Sequence, residues 1–186
     1  MPAKKAAKKA AKKSAHHHEH KHGKDVLRAY EHLGRIHALE PILPATVVSQ
    51  IRTLGDLAQA SLSSADAKSA ADLLRASEHI AFGSLAATSN AKRLSDDLEG
   101  AANAEYEQLT DKADEHWQRH ADERPAGIEV IYDGMLEAAS VAFNKGAYRR
   151  ALEFARGAEA LAHVHGDGQW TLGDGGTGAK QKTLRS

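Results

Sequence analysis

The sequence has no cysteine and no long apolar run, and each absence excludes a class of protein. Without cysteine among its 186 residues, the chain forms no disulfides and no thiolate metal sites. Its apolar runs are only a few residues long, which is too short for a helix that spans a bilayer. The lysine-rich start is not followed by the apolar segment of a signal peptide. We therefore expect a soluble, cytoplasmic protein without membrane contact.

Aromatic residues are also few, at 5% of the chain, while alanine supplies much of the 41% hydrophobic content. This composition favours closely packed helices, because alanine costs least in a helix and is depleted in strands. No segment shows the sustained alternation of apolar and polar residues that a half-buried strand needs. The predicted fold class is all-α, a bundle of about six helices.

Charge and apolar periodicity divide the chain into three parts. Residues 1–23 are highly charged and have no apolar period, so we expect a disordered tail. Residues 24–165 form the predicted helical domain, and residues 166–186 are a flexible, glycine-rich tail. Within the domain, apolar periodicity and the breaks at proline and glycine predict helices at about 25–39, 45–60, 63–87, 96–121, 128–144 and 147–164.

Two local patterns make sharper predictions about these helices. In the first helix, Val26, Tyr30, Leu33 and His37 share one stripe and are expected to face the core. Ser63 followed by Asp66 resembles a capping box, in which a hydroxyl and an acid satisfy the free amides of a first turn. The third helix is therefore predicted to begin near Ser63.

The last two predicted helices are joined by a turn that resembles that of a tetratricopeptide repeat. In that family a glycine ends the first helix, an aromatic residue follows two positions later, and a small residue comes three positions beyond it. Gly146, Tyr148 and Ala151 match this order, and Ala158 matches the next small position. The resemblance covers residues 131–164 and implies an antiparallel hairpin that binds a protein partner. An ordinary helix pair closed by glycine is the alternative.

Lysine is concentrated at the start of the chain, where Lys-Ala repeats place lysine pairs at every fourth position. Residues 1–24 hold eight lysines and one glutamate, a net charge of +7, and residues 25–186 carry −7 because the whole chain is neutral. A polycation binds nucleic acid by displacing counterions from the phosphates, without reading the base sequence. The segment resembles the tails of linker histones and of some bacterial nucleoid proteins, which implies this mode of contact. The predicted nucleic-acid-binding residues are Lys4, Lys5, Lys8, Lys9, Lys12, Lys13, Lys21 and Lys24.

Two other roles are open for the same tail. It could simply solubilise the protein, or it could pair with the acidic body of its own chain or of a neighbouring copy. A flexible segment of this length spans about 25–30 Å on average, which is far enough for either contact. Opposite charges on the two parts, together with seams of small residues, also permit a homo-oligomer.

Histidine is abundant, with 12 in the chain, and five follow the lysine repeat. Imidazole nitrogens are ligands for borderline divalent metals, so this run predicts weak and unselective metal binding. His116 and His120 lie four positions apart on a predicted helix, and we interpret them as a pair on the helix surface near the core. The predicted weak metal ligands are His16, His17, His18, His20 and His22.

The sequence predicts no enzyme and no cofactor. It carries neither a phosphate-binding Gly-x-x-x-x-Gly-Lys loop nor the zinc protease pattern His-Glu-x-x-His. Arg156 and His163, with six residues between them, are similar in spacing to the arginine–histidine element of helical HEPN ribonucleases. The main prediction is a non-enzymatic helical interaction module that the lysine-rich tail tethers non-specifically to nucleic acid or another polyanion. The HEPN resemblance implies an RNA-cleaving bundle as the first alternative, and weak divalent-metal binding is the second.

Overall fold

The computed structural model describes residues 23–88, 95–120 and 124–165. Within these ranges the chain has six α-helices and no strand, which confirms the all-α prediction. None of these helices combines the length and apolar character that a membrane span requires. The predicted disorder of residues 1–23 and 166–186 lies outside the described residues, except at Gly23, which is the first described residue of α1. The helices are α1 (23–39), α2 (Ala45–Ser63), α3 (Ala67–Leu85), α4 (Asp96–Arg119), α5 (Ile128–Asn144) and α6 (Tyr148–Ala162), with a single 3-10 turn, Glu40–Ile42, after α1.

Helices α3 and α6 form the centre of the bundle. α3 contacts both α2 and α6, and α6 also contacts α4 and α5. Both central helices are buried on several sides and are rich in alanine, whose small side chain lets neighbouring backbones approach closely. Two glycines extend this close contact: a Cβ added to Gly83 would lie 3.0 Å from the Phe154 ring, and one added to Gly157 would lie 3.0 Å from Met135 Sδ.

The turn between α5 and α6 is a Schellman motif. The Ala147 amide donates to the Ala142 carbonyl at 2.9 Å, and the Gly146 amide donates to the Phe143 carbonyl at 2.8 Å. Gly146 has a φ of 69°, a left-handed conformation that glycine adopts without a steric penalty. The small side chains of Ala142 and Ala147 are buried together beside the turn. This closure explains why the short connection leaves the two helices antiparallel.

The same motif closes α2, but there an alanine takes the left-handed position. Ala65 has a φ of 65°, and the Asp66 amide donates to the Ser61 carbonyl at 2.9 Å. The predicted capping box at Ser63 was therefore wrong, because Ser63 is the last residue of α2. Asp66 itself is the N-cap of α3, and its carboxylate accepts from the Ser69 amide at 3.1 Å.

The buried stripe of α1 differs from the prediction. Tyr30 is 62% exposed and His37 is also exposed, so both were wrongly expected to face the core. Ala29 and Ile36 are buried instead. The reason is that α1 turns a different face towards α3, because a buried carboxylate of α3 accepts hydrogen bonds from polar side chains of α1.

Candidate functional site

Most residues of the predicted nucleic-acid site lie outside the described ranges. Lys24 is the exception, and it is exposed in the first turn of α1. The remaining members of this set, and all five histidines of the predicted metal segment, stay predictions. They are Lys4, Lys5, Lys8, Lys9, Lys12, Lys13 and Lys21, with His16, His17, His18, His20 and His22.

The negative charge of the folded part is concentrated on α4. This helix carries eight acidic residues and two basic ones, a net charge of −6, with three of the acids in its first turn. Ala113 is its one buried residue, so most of the helix surface faces solvent. Asp97, Glu107 and Asp111 are exposed and fall on one face by the helical period. Acids in the first turn also interact favourably with the positive end of the helix dipole.

Glu78 is a buried carboxylate that joins α3 to α1. It is 7% exposed and accepts hydrogen bonds from His32 Nδ1 at 2.5 Å and from Arg35 Nη1 at 3.1 Å. A buried carboxylate needs such donors, because leaving it unpaired costs more free energy than a neutral group would. Nothing in the sequence indicated this contact, since His32 and Glu78 lie 46 positions apart.

A second polar network joins α3, α6 and α4 and includes one of the HEPN-like residues. His79 Nδ1 donates to Glu153 Oε2 at 2.9 Å, and Arg156 donates to Glu153 Oε1 at 3.2 Å and to Glu105 Oε1 at 2.5 Å. The hydrogen bond from His79, together with the nearby cations, holds the pKa of Glu153 below its usual range, although partial burial acts in the opposite direction. Arg156 is thus engaged by two carboxylates of the protein itself.

An aromatic stack fixes the C-terminal end of α4 against α5. The Trp117 and Tyr132 rings lie 3.8 Å apart and nearly parallel, and the Arg124 guanidinium lies 3.6 Å from the Trp117 ring centre. The Tyr132 hydroxyl donates to Asp114 Oδ1 at 2.9 Å. Burial, and then this hydrogen bond, raise the pKa of Tyr132 well above its usual range.

Four histidines meet beside this stack, at the ends of α4 and α6. The His116 ring lies 4.1 Å from the His163 ring, and the His120 ring lies 4.9 Å from the His165 ring. His163 Nδ1 donates to the Glu159 carbonyl at 2.8 Å, which fixes the proton on that nitrogen because a carbonyl only accepts. His116 and His120 are partly buried, and each has a histidine partner that the sequence did not reveal. The described residues contain no group of three or more potential metal-ligating side chains.

The hairpin of α5 and α6 has the small-residue packing that its sequence indicated. Ala151 and Ala158 are fully buried, and Tyr148 lies at the start of α6, where its hydroxyl donates to Glu99 Oε1.

Comparisons of the chain with family models, with curated proteins and with solved structures found no match. The resemblances to tetratricopeptide repeats, linker-histone tails and HEPN ribonucleases therefore stay predictions.

Proposed function

We propose that this protein is a non-enzymatic helical interaction module. Its N-terminal segment tethers it non-specifically to nucleic acid or another polyanion. The observation that carries the proposal is the segregation of charge, with +7 on residues 1–24 and −7 on the rest of a neutral chain. The cytoplasmic location that the sequence predicts belongs to the same proposal. No metal or cofactor takes part in it.

The distribution of charge over the folded body supports this division of roles. α4 alone carries a net charge of −6, and its exposed acids Asp97, Glu107 and Asp111 would repel phosphates. A polyanion is therefore attracted to the lysine segment and repelled from this face of the body. The same acidic face is the surface with which the lysines would pair if the tail instead bound its own chain or a second copy.

A protein partner, if the hairpin binds one, would contact the outer face of α5. Val130 is 77% exposed and Val141 is 47% exposed on that helix, three turns apart. Residues eleven positions apart share one face of a helix, and a helix packs against a partner through the apolar side chains of one face. The partner proposal rests on the resemblance to tetratricopeptide repeats together with this exposed face.

Substitution of three lysines in the tail tests the tether. Each phosphate that the protein neutralises adds about −0.9 to the slope of log affinity against log salt on duplex DNA. Replacing Lys4, Lys8 and Lys12 by glutamine should therefore weaken binding and reduce the steepness of the slope by about 3. The measurement is fluorescence anisotropy of a labelled duplex over a salt series.

The matched control removes three exposed cations from the folded body, Lys112, Lys145 and Arg149, by the same change to glutamine. The proposal predicts that this control retains the original slope. Equal loss of slope in the two variants would place the contact on the body. Binding too weak to measure for the unaltered chain at low salt would favour the solubilising role of the tail.

A further inference from the structure

The two histidine pairs link segments that are distant in the sequence. His116 and His120 are one turn apart near the end of α4, whereas His163 and His165 are alternate residues in the segment that follows α6. Both ring pairs are tilted, with interplanar angles of 37° and 41°. Rings in this arrangement pack favourably when they are neutral and repel each other when both are protonated.

The backbone of residues 163–165 is held in place independently of the rings. Ser69 Oγ donates to the His165 carbonyl at 2.9 Å, and Lys68 Nζ donates to the His163 carbonyl at 3.4 Å. Val164, between the two histidines, is fully buried. The segment is thus fixed to the start of α3 and presents its two rings to α4.

Charged groups of several elements surround the rings. They are Glu115 and Arg119 on α4, Glu159 on α6, and Lys68 and Arg75 on α3. Arg75 Nη2 lies 3.2 Å from Glu159 Oε2, but the two atoms are not aligned for a hydrogen bond. Arg124 adds a further cation, because its Nη2 donates to the His116 carbonyl at 3.4 Å.

These neighbours favour the neutral form of one ring. Partial burial lowers the pKa of His116, and His163 and Arg119 act in the same direction, while Glu115 and Glu159 oppose them. A histidine whose pKa is lower in the folded chain than in the unfolded chain contributes its full stability above the unfolded pKa of about 6.5. That contribution is lost as the pH falls below this value.

We propose that His116, His120, His163 and His165 form a proton-sensitive clasp that joins the end of α4 to the segment after α6 at neutral pH. When both rings of a pair carry a proton, the clasp opens and this end of the bundle loosens. The clasp is separate from the lysine segment and does not depend on polyanion binding. It would give the protein a response to mild acidification.

Thermal unfolding of the full chain tests the clasp. The variant His116→Gln/His120→Gln removes the α4 member of each pair and leaves no second charge to repel. The Tm of the unaltered chain should exceed that of the variant at about pH 7.5, and this difference should shrink by about 2–4 °C at about pH 5.5. Both proteins retain the hydrogen bonds of His32 with Glu78 and of His79 with Glu153, so the contribution of these pairs cancels in the difference.

The control is His37→Gln, which replaces an exposed histidine of α1 that lies far from the clasp in the sequence and pairs with Glu40. The Tm difference between the unaltered chain and this variant should not shrink between about pH 7.5 and about pH 5.5. A Tm difference between the unaltered chain and the double variant that stays constant with pH overturns the proposal.

Histidine NMR titration of the unaltered chain gives a second test, which does not depend on whether the variant folds. The proposal predicts that His116 takes its proton at a lower pH than a free imidazole does. Titration of His116 at or above the pH of a free imidazole contradicts it.

Discussion

At the residue scale, helices of the body are joined by acids that each accept from one histidine and one arginine. Glu78 accepts from His32 and Arg35 of α1, and Glu153 accepts from His79 of α3 and from Arg156. Glu78 is buried and Glu153 is partly buried, and such carboxylates stabilise the fold only while their donors are in place, because removing one partner leaves the other polar group unpaired. They therefore fix which face of one helix meets another.

The change Glu153→Gln tests this role through its pH dependence. Since the folded-state pKa of Glu153 lies below its ordinary value of 4.5, its ionised form stabilises the protein above that value, and this contribution is lost as the pH falls through the folded-state pKa. We expect the variant to lose about 1–3 kcal/mol in the free energy of unfolding at neutral pH. The deficit should fade in acid, as measured by urea unfolding at several pH values.

Glu107→Gln is the control for this experiment, because Glu107 is exposed on α4. It should change stability little at any of these pH values. If Glu153→Gln lowers the free energy of unfolding as much in acid as at neutral pH, then the variant loses stability through altered packing and not through the loss of the charge.

The sequence could not predict these pairings. The spacing of His116 and His120 was visible, and so were His163 and His165, but nothing in the chain indicates that one pair meets the other. The error on α1 has the same origin. Apolar periodicity placed Tyr30 inwards, whereas the small side chain of Ala29 permits closer approach to the core and brings His32 to Glu78.

At the scale of elements, the ends of helices decide the path of the chain. The C-terminal hairpin could be predicted closely, since α5 spans Ile128–Asn144 as expected and a glycine marks its end. The end of α2 could not, because Ala65 takes the left-handed position that glycine usually marks. With no glycine signal, the pair Ser63 and Asp66 indicated a helix start in the wrong place.

Ala65→Gly should stabilise the protein. Alanine pays a steric cost at positive φ that glycine avoids, and this gain exceeds the extra freedom that glycine has in the unfolded chain. We expect an increase of about 0.5–1 kcal/mol in the free energy of unfolding, measured by urea denaturation. The reciprocal change Gly146→Ala, at the matching position of the α5–α6 turn, should lower stability by a similar amount. The same sign of change in both variants would contradict this account of the turns.

At the scale of the whole molecule, the chain separates its charges. The composition already indicated a basic start and an acidic body, and the structure adds that α4 carries most of the body's excess negative charge on a largely exposed helix. The burial of α3 on several sides was less visible in the sequence, because its alanines and serines give no strong apolar stripe. The proposed function rests on this separation of charge and not on any site in the core.

The most direct test compares the salt dependence of duplex DNA binding by the intact chain and by a chain without residues 2–22, which retains α1 from residue 23. Circular dichroism first confirms that the shortened chain keeps its helices. Eight lysines in residues 1–24 should give a slope of log affinity against log salt of about −7 for the intact chain, and Lys24 alone a slope of about −1 or less in magnitude for the shortened one. Equal slopes for the two chains would contradict it.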